Sequence, residues 1–139
     1  MPASVCGVVG LKPTYGRVSK AGVLPLSYRY DHTGPLTRTV EDAALMLNVI
    51  AGYDPADPAS VRVPVDDVTA SLAAGVRGLR IGVPRGYFFY HLEDDIAAAI
   101  ERAIEVLVQL GAKVREVEIS GVAEGLGGTF GFVLAEAQD

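Results

Sequence analysis

Residues 79–119 read LRIGVPRGYFFYHLEDDIAAAIERAIEVLVQLGAKVREVEI, and the periodicity of this stretch decides the fold class. Leu79-Arg80-Ile81-Gly82-Val83 is a short apolar run closed by Pro84, the signal of a strand. From Glu93 to Leu110 the pattern becomes helical, with Ile96, Ile100, Ala103, Ile104, Leu107 and Leu110 on one face. Glu93, Asp94 and Asp95 occupy the first turn, where the helix dipole favours negative charge. Gly111 follows as a C-terminal stop. Lys113–Ile119 then alternates, Val114, Val117 and Ile119 against Lys113, Arg115, Glu116 and Glu118, with one break of phase at Arg115-Glu116. A strand, a helix and a second strand at this spacing predict a right-handed crossover between parallel strands, hence an α/β protein.

Upstream, residues 2–30 are rich in Gly and Pro. Val8–Leu11 predicts a short buried strand stopped at Pro13, and Asp31–Leu36 a turn leading into an extended segment. Thr39, followed three residues later by Asp42, resembles a capping box. The helix it opens, Val40–Ala51, is apolar on most of its circumference, which predicts burial on several sides. Gly52 is placed to end it. Residues 53–67 carry Asp54-Pro55, Asp57-Pro58 and Val63-Pro64 and read as a connecting loop. A short helix is predicted over Val68–Ala73. The tail, 121–139, keeps apolar helical spacing but carries Gly121, Gly125, Gly127, Gly128 and Gly131, each costing about 1 kcal/mol in a helix interior.

Composition narrows the function. The chain has 139 residues, 50% of them hydrophobic and 21% charged, which fits one globular domain rather than a disordered segment. A mean hydropathy of +0.30 predicts apolar surface that further protein would cover. The net charge of −5 argues against nucleic acid or an anionic membrane as partner. No apolar run reaches the roughly 18 residues of a membrane span. A single cysteine, Cys6, cannot build a disulfide framework, which points to the cytoplasm.

The candidate chemistry is thin. Gly125-Leu126-Gly127-Gly128-Thr129-Phe130 half-matches a dinucleotide loop and lacks its third glycine. His32 and His91 have no second ligand at metal spacing. His32 follows Asp31, an order that suits a general base but more often marks a turn histidine bonded to backbone. Ser4, Cys6 and Lys12 invite a nucleophile site. Yet Cys6 sits among apolar neighbours, the setting of a buried inert thiol, and Lys12 before Pro13 reads as solvated or carbonyl-bonded.

Three longer stretches say more. PASVCGVVGLKPTYGRVSKAGVLPLS (2–27), DHTGPLTRTVEDAALMLNVIAGYDPADPAS (31–60) and GLRIGVP (78–84) closely resemble the amidase signature family. The likeness runs from Pro2 to about Ile119. It implies a partial amidase-signature fold: strands sandwiched by helices, with an incomplete sheet, the whole chain 1–139 being an internal segment of one amidase domain. It also implies hydrolysis of carbon–nitrogen (amide) bonds by a Ser–cis-Ser–Lys mechanism. Backbone amides would hold the oxyanion, with no cofactor and no metal.

By that alignment the nucleophilic serine falls three residues before Met1, in a Gly-Gly-Ser-Ile-Arg-type segment. The cis-serine and the lysine lie further upstream. Lys12 matches the Gly-Leu-Lys-Pro part of the pattern and Ser4 a variable position, so no residue of 1–139 inherits a catalytic, cofactor-binding or metal-binding role. The expectation is a segment that starts just after the nucleophile, stops mid-domain and is inactive alone. The parent's partner would be a small-molecule amide. Two alternatives stay open: a noncatalytic truncated module or pseudoenzyme that associates through exposed apolar surface, and the glutaminase component of a tRNA-dependent amidotransferase. The resemblance places Gln at the His32 position in the amidotransferase branch, so His32 leans toward the general amidases. A nucleotide-binding α/β domain would rest on the tail glycines alone.

Overall fold

A computed structural model describes residues 2–122 together with Gly125, Val133 and Ala135. Helices and strands mix, and the strands pair in two small sheets. The chain divides into two compact units, Met1–Ala73 with Val133–Asp139, and Ala74–Phe132. The tail pattern over 121–139, including the glycine run 125–130, falls mostly outside the described residues.

The first unit begins with α1 (Pro2–Cys6), followed by β1 (Val9–Gly10), which pairs antiparallel with β2 (Leu36–Thr37). The strand predicted at Val8–Leu11 therefore exists, but it is shorter and not buried: Gly10 is exposed. Its backbone is satisfied by one partner strand and by Leu11 N–H donating to Pro35 O at 3.1 Å. Two close approaches explain the glycines. A Cβ on Gly10 would sit 2.5 Å from Ala3 Cβ of α1, and one on Gly34 would collide with Leu11 O.

Helix α2 (Val40–Ile50) starts as predicted, with Thr39 Oγ1 accepting from Asp42 N–H at 3.0 Å, an N-cap worth about 1 kcal/mol. It ends one residue early. Ala51 turns extended and bridges Val18, and Gly52 N–H donates to Arg17 O at 3.0 Å. The predicted burial on several sides is not found. Ala43 and Ala44 are buried, while Leu45, Met46 and Val49 are exposed, Val49 at 83%. Among the described residues α2 packs against β1 and β2 and is bonded through Asn48 to the 67–68 segment.

In place of a helix over Val68–Ala73 there is a turn and a single 3-10 turn at Leu72–Ala74. Asp67 Oδ1 accepts from Thr69 N–H, Thr69 Oγ1 and Asn48 Nδ2. Such local side-chain bonds compete with helix formation.

The second unit holds the strand–helix–strand motif that the sequence predicts. Strands β3 (Arg80–Val83) and β4 (Lys113–Glu116) are parallel, with Ile81 opposite Val114. Between them lie α3 (Arg85–Phe88), which periodicity does not show, and α4 (Asp94–Gln109). Helix α4 ends in a Schellman motif: Ala112 N–H donates to Leu107 O and Gly111 N–H to Val108 O, with Gly111 at φ +94°. Its more covered side carries Ala97, Ile100, Glu101, Ile104 and Leu107, whereas Ile96, Ala103 and Leu110 are exposed. The predicted face is thus turned by part of a residue step, toward the edge that packs on β4.

Strand β4 stops at Glu116, short of the Ile119 that the alternation predicts, with one further bond from Val117 N–H to Val83 O. The partner strand ends there because Pro84 has no N–H to continue the ladder. Arg85 ties the unit together, meeting the Glu101 carboxylate through both Nη atoms and Glu116 Oε1 through Nε at 2.7 Å.

Gly16 offers the sharpest test of the first unit. It is buried, its φ is +77°, and a Cβ there would collide with Ala59 O. Gly22 has nearly the same φ, +79°, and open space around it. Urea unfolding of Gly16→Ala should show a loss of at least about 2 kcal/mol, against about 1 kcal/mol for Gly22→Ala.

Candidate functional site

Within the first unit, the turn at Tyr15-Gly16 brings three segments together. Arg17 N–H closes it onto Thr14 O at 3.1 Å, and Val61 N–H donates to Gly16 O at 3.0 Å, seating the 59–61 loop on the glycine. Ser19 Oγ then donates to Asp54 Oδ2 at 2.6 Å, and Lys20 N–H to Asp57 Oδ2 at 2.8 Å. The other oxygen of each acid accepts a backbone N–H two residues on, from Ala56 at 2.8 Å and Ala59 at 2.9 Å. Asp57 is 6% exposed, and both its oxygens are bonded.

These bonds set the acidity of the two groups. The Lys20 amide, then the Ala59 amide, holds the Asp57 carboxyl below its ordinary value. The Ser19 hydroxyl, then the Ala56 amide, does the same for Asp54. Sequence alone shows residues 53–67 as a connecting loop. The usable signal was the repeated Asp-Pro pair, since Asp side chains cap their own turn two residues on.

This scaffold walls a cavity of about 470 Å³ whose lining includes Tyr15, Lys20, Val23, Tyr28, Asp31 and Ala56. The Lys20 ammonium lies 4.3 Å from the Tyr15 ring centroid and donates to Tyr15 Oη at 3.1 Å and Tyr28 O at 2.9 Å. Tyr15 Oη itself donates to Tyr28 O at 2.9 Å. Asp31 Oδ2 accepts from Leu26 N–H at 2.8 Å and Ser27 N–H at 3.0 Å.

A second recess of about 280 Å³ is lined by Ala3, Gly10, Lys12, His32 and Leu36, among others. Both Lys12 and His32 line it, and each is bonded to a backbone carbonyl. Lys12 Nζ donates to Pro13 O at 3.1 Å. His32 Nδ1 pairs with Tyr30 O at 2.7 Å; a carbonyl only accepts, so Nδ1 carries the proton. Asp31 turns its bonded oxygen to backbone amides, not to the imidazole. The arrangement is that of a turn histidine, packed edge-on against Tyr15.

Ser4 and Cys6 belong to α1 and stand off that wall. Cys6 is exposed, against the buried thiol its apolar neighbours predict, because a five-residue helix packed on one short strand covers none of its own residues. His91 sits at φ +59° after α3. Among the described residues no three His, Cys, Asp or Glu gather to hold a metal ion, and no helix is long and apolar enough to cross a membrane.

The comparisons with known proteins agree with one another. The family model described as Amidase matches residues 1–139, and the chain belongs to the amidase family. A protein named Amidase from Pseudomonas putida is 50% identical over 99% of this chain, which covers 30% of that protein. The A component of the glutamyl-tRNA(Gln) amidotransferase of Trichlorobacter lovleyi is 57% identical over 85% of this chain and 24% of its own length. Among solved structures, the corresponding amidotransferase component from Thermotoga maritima superposes with a TM-score of 0.93 at 37% identity, over 99% of this chain and 30% of that one. The chain thus spans under a third of these relatives.

Because both acids of the 54–57 turn are held below the unfolded carboxylate range near 3.9, their bonds stabilise the fold fully above that range. That contribution is lost as pH falls through the lower folded values. Asp57→Asn can keep only one of the two amide bonds. Its denaturation midpoint should lie below wild type at pH 7, and the gap should narrow steadily as the pH is taken below about 4.

Proposed function

We propose that this chain is an internal segment of a single amidase domain in a hydrolase that cleaves carbon–nitrogen bonds of small-molecule amides. The observation that carries this reading is the superposition on an amidase-family structure over 99% of the chain, at a TM-score of 0.93. In the proposed reaction a serine hydroxyl attacks the amide carbonyl. Its proton passes through the cis-serine to the lysine and on to the departing nitrogen, and water then releases the acid from the acyl-serine. Backbone N–H groups stabilise the charge that develops on the carbonyl oxygen.

The three reacting side chains lie outside residues 1–139 in this proposal, no cofactor takes part, and the setting is cytoplasmic. What the described residues would contribute is support. Helix α1 is seated on β1 where Ala3 meets Gly10, and its first residues, Pro2 and Ala3, line the recess with Lys12 and His32. Both named kinds of relative, the amidase and the amidotransferase component, share this reaction class in our reading. His32 favours a general amidase over the amidotransferase branch.

Two measurements test this. A polypeptide extended upstream through the Gly-Gly-Ser-Ile-Arg segment, the cis-serine and the lysine, and downstream to the length of the relatives, should release ammonia or amine from simple amides, and a fluorophosphonate should label it before the position of Met1. The 139-residue chain should take no label. Stoichiometric labelling within 1–139, or no hydrolysis by the extended form, overturns the proposal.

A second reading, a noncatalytic module that docks on a partner or on itself, is favoured by the exposed apolar side of α2, with Leu45, Met46 and Val49 in the open. Size measurement at low micromolar concentration should then show association. A monomer that binds no hydrophobic dye would remove this reading.

A further inference from the structure

We propose that a cavity of about 460 Å³ in the second unit, between α3 and the segment after β4, binds a small organic cation of the quaternary-ammonium class. Its lining includes Pro84, Tyr87, Phe88, Glu118, Ile119 and Val122. The volume lies within the roughly 300–1,000 Å³ of ordinary ligand sites. The cavity shares no residue with the two recesses of the first unit and needs no nucleophile. Binding here and the hydrolysis proposed above can therefore fail separately.

Both walls are fixed before a ligand arrives. On one side Val117 N–H donates to Val83 O at 3.1 Å, and Gly82 leaves room for the Val117 side chain, which a Cβ there would meet at 3.0 Å. On the other side Arg85 opens α3 and holds it to α4 through Glu101 and to β4 through Glu116. The walls are thus tied to the same strands and helix, and little order is lost on binding. Tyr87 and Phe88 meet edge to face with ring centroids 5.6 Å apart, and each ring residue stays half-exposed.

Charge and ring chemistry select the ligand. Among the described residues of the lining, Glu118 is the one charged group, and no Lys or Arg stands beside it. No ion pair or hydrogen bond joins the Glu118 carboxylate to another described residue. That carboxylate lies no further from the cavity wall than its own side chain reaches. The nearby Arg85 guanidinium is outnumbered by its two carboxylates, Glu101 and Glu116. This surplus repels an anion and attracts a cation. Aromatic rings add to the attraction, because their faces present negative charge to a cation. Most of the remaining wall, Pro84, Val117, Ile119 and Val122, is apolar. A primary ammonium would give up water at its N–H groups there. A trimethylammonium has no N–H to strip and gains by burying its methyl groups.

The test titrates four small probes into the 139-residue chain while backbone-amide NMR shifts are followed. They are choline, neohexyl alcohol (carbon in place of the choline nitrogen), the anion neohexanoate, and ethanolamine. Choline should perturb residues 85–88 and 117–122 with a dissociation constant of about 1–10 mM. It should bind at least about fivefold more tightly than neohexyl alcohol or ethanolamine, and neohexanoate should leave these signals unmoved. Phe88→Leu keeps the wall apolar and removes a ring, and Glu118→Gln removes the charge. Each should weaken choline binding about threefold or more, and Glu118→Gln should leave the affinity for neohexyl alcohol unchanged. Unchanged signals over residues 94–109 check the folding. Should Phe88→Leu not fold, Glu118→Gln decides alone. Neohexyl alcohol, neohexanoate or ethanolamine binding as tightly as choline, shifts confined to other residues, no binding of choline, or wild-type affinity in the folded variants overturns the proposal.

Discussion

The carboxylate of Asp57 is the constraint on which the first unit depends. It is buried, and it accepts one backbone N–H from Lys20 and one from Ala59. A buried charge is tolerated only when its hydrogen-bonding capacity is met. Here the donors come from two loops far apart in sequence, so satisfying the charge and closing the fold are the same event. Neighbouring bonds follow from it. Ser19 reaches Asp54, Val18 bridges Ala51, and Val61 pairs with Gly16. Regular strands supply little of this: β1 and β2 have two residues each.

The same bonds shape the larger cavity. The turn that carries Tyr15 and the amide that carries Lys20 are both held by the 57–61 loop, and that loop also supplies wall residues. The ammonium of Lys20 is positioned by aromatic and carbonyl groups rather than by an acid. Asp31 and Asp57 commit their bonded oxygens to backbone amides, so neither neutralises Lys20 by direct pairing. The Arg85–Glu101–Glu116 cluster is, by contrast, a surface clamp of directly paired charges. Exposed pairs of that kind are worth about 0.2–1 kcal/mol each.

Legibility in the sequence followed the range of the interactions. Helix α4 and its two strands were readable because their signals are local: apolar spacing, acids in the first turn, glycine at the end and proline after the strand. The Thr39 cap was readable for the same reason. The 3-10 turn at Leu72–Ala74 was not, because Asn48 reaches across from α2 to bond Asp67. Cys6 reads as buried because its neighbours in sequence are apolar, while its actual burial depends on what packs over α1. Of the candidate site, Lys12 and His32 were legible as carbonyl-bonded residues. The pairing of Lys20 with Tyr15 and Asp57 was not, since no spacing rule joins residues 15, 20 and 57.

Sequence by itself determined the α/β class, the parallel strand–helix–strand unit and, through three long motifs, membership of the amidase family. Each of these is written in neighbouring residues, either as a period or as an uninterrupted match. Tertiary structure alone decided where the strands stop, which side of α2 is covered, and which side chains meet around the cavity. Those outcomes depend on backbone donors and acceptors finding partners across long stretches of chain. A buried Asp57 accepts whichever amides the closed loop brings within 3 Å, and that proximity exists only once the fold is complete.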